Sequence, residues 1–174
     1  YRDRTLFKNR ATLDVSGAIS TKKYWVAEAK LSTTSLAGGR AFAEAYGRRR
    51  EMPEETFFGL GPDSRRRDIT TFTLRDTVVG ASGGLRLVPW LAVGGGVEAL
   101  AASTADGRRA NTPNIESVFS PDEVPGFGAS PGFVHSTAFV DVNFREPRGN
   151  PRDHGQYRVT FNRFTDHDDA GVGF

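Results

Sequence analysis

The chain has 174 residues and no cysteine, a single methionine, and no uninterrupted run of the roughly 18 apolar residues that a membrane-spanning helix requires. Without cysteine there are no disulfides and no thiolate metal sites. Charge of one sign is also missing. Lys and Arg number 23 and Asp and Glu 21, a net +2, so no broad field draws nucleic acid, and no nucleic-acid partner is expected. The motifs of catalysis and cofactor binding are missing too. "GGG" at 94–96 is followed by no Gly-Lys-Ser/Thr, and no serine sits in a G-x-S-x-G elbow. His135, His154 and His167 lack metal-ligand spacing. "DHDDAG" at 166–171 resembles the start of a calcium loop, but no Glu follows at the needed spacing. These readings predict no metal, no cofactor and no enzymatic activity. The lack of an apolar run excludes only a helical span. A strand that crosses a membrane turns just half of its residues to lipid, so its average polarity resembles that of a water-soluble protein.

What is present is period two. In "FVDVNFREPRGNPRDHGQYRVTF" (139–161), Val140, Val142 and Phe144 share one parity and Phe139, Asp141, Asn143 and Arg145 the other. After a polar turn, Tyr157, Val159 and Phe161 alternate with Gln156, Arg158, Thr160 and Asn162. Such alternation reads as strands with one apolar and one polar face. The same pattern predicts strands over 7–19, 24–32, 40–48, 69–87 and 91–103. The Ala-rich stretch 40–48 also admits a helix and is taken as a strand. Within 69–87 the apolar parity changes from Phe72 and Leu74 to Val79, Ala81, Leu85 and Leu87, which suggests a bulge near Arg75–Thr77.

The expected class is therefore all-β, with about seven antiparallel strands of roughly ten residues. That is longer than the ~5–6 typical of soluble sheets and close to the ~9–11 that cross a bilayer at a tilt. Connections alternate in length. "SLAGG", "VPW" and 147–154 are short, 49–68 and 104–132 are long, and "STKK" is a short turn on the long-loop side. Short turns on one rim and long loops on the other are the arrangement of an outer-membrane β-barrel, with the short side periplasmic. Seven strands are odd, and lipid does not tolerate an open edge. Residues 1–174 thus read as part of one larger barrel domain, excised from a longer protein. The alternatives are a passive porin or receptor barrel and a soluble β-sandwich or lipocalin-like binding protein.

Three motifs add a family resemblance. "NFREPRGNPRDHG" (143–155) resembles the strand-end signature of the BamA/TamA family of outer-membrane barrels, the bacterial surface antigens, in which a D-T-R-D-like tetrad precedes a Pro-containing turn ending in Gly. Arg145 and Glu146 match the end of the tetrad, Asn143 replaces its first acid, and Pro151 and Gly155 follow. "FFGLGPDS" (57–64) is similar to the family's aromatic-Gly-x-Gly loop, here Phe58, Gly59 and Gly61. "SLAGGRAF" (35–42) is similar to an earlier turn. The V/I-R-G-F lid motif is absent; in the family it lies C-terminal to the stretch matched here. The resemblance implies a barrel of about sixteen strands with periplasmic domains, in the outer membrane of a diderm bacterium. It would assemble or translocate outer-membrane proteins without covalent chemistry. The implied partners are outer-membrane lipid and lipopolysaccharide, client outer-membrane proteins, and the periplasmic domains.

His135, Asp141, Arg145 and Arg158 fall on the polar parity of adjacent strands. They mark either a lumenal charge network or a solvated wall with weak ion pairs. The Arg runs 48–50 and 65–67 bound one loop and would meet lipopolysaccharide phosphates or simply keep the loop soluble. Tyr24, Trp25, Trp90 and Tyr157 stand near strand ends, where an aromatic girdle belongs.

Overall fold

A computed structural model describes residues 2–3, 11–62, 64–120, 122–124, 126–144 and 155–166. They form one antiparallel sheet whose order is the chain order: β1 (Arg2–Asp3), β2 (Thr12–Ile19), β3 (Trp25–Leu36), β4 (Ala41–Phe57), β5 (Thr70–Val88), β6 (Leu91–Asp106), β7 (Gly132–Asn143) and β8 (Gln156–Asp166). Each strand pairs with the next, so the sheet is an up-and-down meander with β1 and β8 at its open edges. The all-β class and the seven long strands agree with the alternation in the sequence. The Ala-rich 40–48 segment is strand.

The strand faces follow the sequence parity. Val140 pairs with Val159 and Asp141 with Arg158. Apolar rows cross the sheet on one side, such as Leu85, Val93, Val140 and Val159. Val79, Val97, Val159 and Phe161 stand at least half exposed there. The opposite face is concave. Glu28 and Lys30 of β3 line the same cavity, about 610 Å3, as Arg158 and Thr160 of β8, which strands this far apart can do only if the sheet curls.

Several boundaries differ from expectation. Residues 49–57 are not loop, because β4 continues to Phe57 and pairs with β5 as far as Thr70. β3 likewise runs to Leu36. Of the expected strand 7–19, residues 7–10 lie outside the described residues. There is no bulge at Arg75–Thr77, where β5 is in continuous register with both neighbours. The irregularities lie between Met52 and Glu55, between Arg86 and Val88, and between Thr33 and Leu36. The parity change in β5 has another cause. Its convex side reads Leu87, Leu85, Gly83, Ala81 and Val79, and then Thr77, Arg75, Thr73 and Thr71. The strand keeps its register while its surroundings change. Beyond Val79 the loop 107–131 folds onto the strand end. Ile115 is 3% exposed, Thr70 and Thr71 are fully buried, and Thr71 N–H donates to Pro113 O at 2.9 Å.

Connections alternate as expected. The links 37–40 and 89–90 and the β7–β8 hairpin share one rim; 20–24, 58–69 and 107–131 share the other. The 37–40 turn depends on positive φ at Ala37, Gly38 and Gly39, a conformation that glycine adopts without strain.

Candidate functional site

The concave face holds the polar side chains that the sequence singled out, and it connects them through residues that the sequence did not. At its centre Lys30, Tyr46, Gly80, Glu98, His135 and Phe164 form one register row across β3 to β8. Tyr46 hydroxyl donates to Glu98 Oε2 at 2.6 Å, bridging over β5. Gly80 makes that bridge possible, because a Cβ there would lie 2.7 Å from Glu98 Cβ and 2.8 Å from the Tyr46 hydroxyl. His135 Nδ1–H donates to Glu98 Oε1 at 2.8 Å. Its Nε2 lies 3.0 Å from Asn162 Oδ1. That amide accepts from an imidazolium or, turned over, donates to a neutral ring. The imidazole stacks on Phe164 with 4.1 Å between ring centroids and 3° between planes. Glu98 therefore accepts from two strands at once, which fixes β4, β6 and β7 to one another through side chains.

Toward the long-loop rim, Asp76 is 6% exposed and pairs with both Arg48, at 3.5 Å, and Arg50. On the convex side of the same strands Glu51 accepts from Arg75 at 3.1 Å and from Arg108 at 3.2 Å, which ties the long loop to β4 and β5. Lys30 and Glu44 pair at 2.6 Å.

Of the sequence-marked polar residues, His135, Asp141 and Arg158 share the concave face but make separate contacts. Asp141 accepts from Gln156 Nε2 with both oxygens at 2.8 Å. Arg158 lies over the Phe139 ring, 4.2 Å from its centroid. Asn143 ends β7, with its N–H donating to Trp90 O at 2.7 Å. Gly155 O accepts from Phe144 N–H at 3.1 Å, closing the hairpin base. Arg145, Glu146 and Pro151 lie outside the described residues, as do His154 and His167. Phe58, Gly59 and Gly61 stand in the β4–β5 loop. Gly59 and Gly61 take φ of 98° and 79°, and Gly59 lies against Phe119 of the long loop. Phe57 meets the same ring edge-on at 5.2 Å. The aromatic-glycine motif therefore seats the long loop.

The chemistry available here is hydrogen bonding and ion pairing. Ser136, next to His135 in the chain, pairs with Val97 and Arg163 on the other face, so the two form no nucleophile–base pair. Among the described residues no three His, Cys, Asp or Glu side chains could hold a metal ion. Sequence reasoning missed Tyr46, Glu98 and Asn162 as partners of His135. Their polar parity was legible, but register chose the partners. Comparison of the chain with protein-family models, with curated proteins and with solved structures gives no match.

Proposed function

We propose that the chain is a segment of an integral outer-membrane β-barrel of the BamA/TamA type, which assembles or translocates outer-membrane proteins without covalent chemistry. The observation that carries the membrane part is the convex face of β5. Its apolar side chains run from Leu87 to Val79 and then give way to Thr77, Arg75 and Thr73. At ~3.3 Å per residue that band is about 26 Å along the strand, and a tilt of ~40° reduces it to about 20 Å. This is near the height of the lipid-facing band of such barrels, while the concave face carries most of the charges alongside it, Arg163 of β8 being on the convex side. Loop 107–131 and the long ends of β4 and β5 would then stand outside the bilayer. The two open sheet edges must be paired by further strands, since each unpaired backbone group in lipid costs several kcal/mol. The motifs at 35–42, 57–64 and 143–155 support the family. A weak seam between strands would provide the mechanism, pairing its edge with an incoming strand by β-augmentation.

In cells depleted of the full-length protein, unassembled outer-membrane proteins should accumulate in the periplasm. The protein itself should fractionate with outer membranes, resist carbonate extraction and migrate faster on gels before heating. A folded, monodisperse species in buffer without detergent would refute the membrane reading. The charged concave wall also suits a second reading, a passive pore. Steady conductance of the intact protein across a planar bilayer, with no effect of depletion on assembly, would favour that one.

A further inference from the structure

Near the short-connection rim the concave face carries an array of rings and cations that wall formation alone does not require. Phe42 and Phe139 lie in one register row with Gly84 and Gly94 between them. A Cβ on Gly84 would come within 2.5 Å of Phe42 Cζ, and one on Gly94 within 2.6 Å of Phe139 Cζ. The two missing side chains let both rings cover the sheet, 6.3 Å apart and 28° from parallel. The adjacent row reads Arg86, Ala92, Asp141 and Arg158. Arg86 lies 5.4 Å from the Phe42 centroid, and Arg158 4.2 Å from that of Phe139. Together with Trp90 these groups line a groove of about 510 Å3.

The two cations are not equivalent. Arg86 donates to Gly39 O at 2.7 Å and so helps to hold the turn. Arg158 has one face on Phe139, and its N–H edges meet no acceptor among the described residues. Asp141, its register partner, is held by Gln156 instead. A guanidinium flattened on a ring with its donor edge open matches a carboxylate, which it can bind through two parallel hydrogen bonds. The neighbouring rings offer stacking surface for an aromatic group.

We infer that this groove binds a polypeptide segment bearing a carboxylate beside an aromatic side chain, with Arg158 as the anion-binding residue. Peptide is favoured over lipid because the groove opens on the face opposite the apolar band and is flanked by Ser32, Glu44 and Asn143, which offer acyl chains little. The source of the segment, a client on the inner side of the wall, rests on the barrel reading.

The test uses the full-length protein in detergent with every tryptophan except Trp90 replaced by phenylalanine. The probes are a blocked Thr-Phe-Asp-Thr peptide, its Asn counterpart and dihexanoyl phosphatidic acid. The Asp peptide should change Trp90 fluorescence saturably. The Asn peptide should bind about tenfold or more weakly, as should the Asp peptide to Arg158→Gln, since hydrogen bonds to charged groups are the strong ones. Arg158→Lys should be intermediate. No saturable change with the Asp peptide, equal binding of the two peptides, an unaffected Arg158→Gln, or tighter binding of the phosphatidic acid would each overturn the inference. Heat-modifiable migration of the same samples separates the two readings. Retained migration without peptide binding rejects the groove alone, and peptide binding without heat-modifiable migration rejects the barrel alone.

Discussion

Gly80 shows how one missing side chain sets an interaction across three strands. Because its absent Cβ leaves room for Tyr46 to reach Glu98, Gly80→Ala should displace that hydrogen bond and cost about 1–3 kcal/mol by overpacking. Gly47→Ala is the control. Its Cβ would meet nothing closer than 3.9 Å. A shift in the temperature of heat-modifiable migration for the first variant and not the second is expected. Tyr46→Phe should cost less, about 0.5–1.5 kcal/mol, because Glu98 keeps its bond from His135. At the loop, the backbone N–H and hydroxyl of Ser120 donate to Glu123 and hold its carboxyl below the ordinary 4.5. A depressed folded-state value means that the contact is fully formed above the ordinary value and is lost as pH falls through the lowered one. Amide exchange at Ser120, corrected for its intrinsic pH dependence, should therefore rise only on acidification below 4.5. In Glu123→Gln it should already be raised above pH 4.5 and show no further rise on acidification. None of these positions stood out in the sequence. Gly80 reads there as one of many glycines, and only the register that sets it between Tyr46 and Glu98 gives it a role.

Within the strands, face and depth decide what a charge costs. Val140 lies in the apolar convex row with Val93 and Val159, whereas Thr160 lies beside Phe139 on the concave face. In the full barrel, Val140→Arg should cost about 2–4 kcal/mol if the row faces mid-bilayer lipid, and Thr160→Arg close to nothing. Gel migration before and after heating compares them, and equal tolerance would point to water on both faces. The β4–β5 pair supplies a second test. Asp76 is buried against two arginines that are themselves more than a third exposed. Asp76→Asn leaves those cations without their anion. The usual 3–5 kcal/mol for breaking a buried pair is reduced by that exposure to about 1–3. An Arg50→Gln background should recover part of the loss. The strands themselves were legible, since alternation gives both type and face. Their ends were not. The polar stretch 49–57 lost its period-two signal because both sides of β4 are largely polar there and a bulge interrupts it between Met52 and Glu55, yet it pairs with β5 on either side of that bulge.

Across the whole molecule, the alternation of short and long connections sets a polarity. In intact cells, single cysteines at Ser64 and Asn111 should react with an impermeant label, and one at Pro89 should not. All three sites lie in connections, with Pro89 on the opposite rim. Labelling of Pro89→Cys alone would invert the orientation. The loop 107–131 should also be the best protected of the connections. It is anchored by Ile115, by Phe119 between Phe57 and Gly59, and by Arg108 on Glu51. Limited proteolysis should leave it uncut under conditions that cleave a form with Ile115→Asp.

The sequence by itself determined the strand class, the two faces and the alternating rims, because the side-chain period of two is written locally and turn residues punctuate it. It also placed His135, Asp141 and Arg158 on one face. Only the tertiary structure decided what each of them touches. Register brings Glu98 of β6 to His135 of β7, and it lays Phe42 and Phe139 over two glycines, one of them forty-two residues from its ring. It also showed that the apparent parity change in β5 is no bulge. Periodicity reports which residues share a face, but a face becomes a site only when the offset between strands is fixed. That offset is set by pairing across the whole sheet and by the loop folded over its end, neither of which is local in the chain.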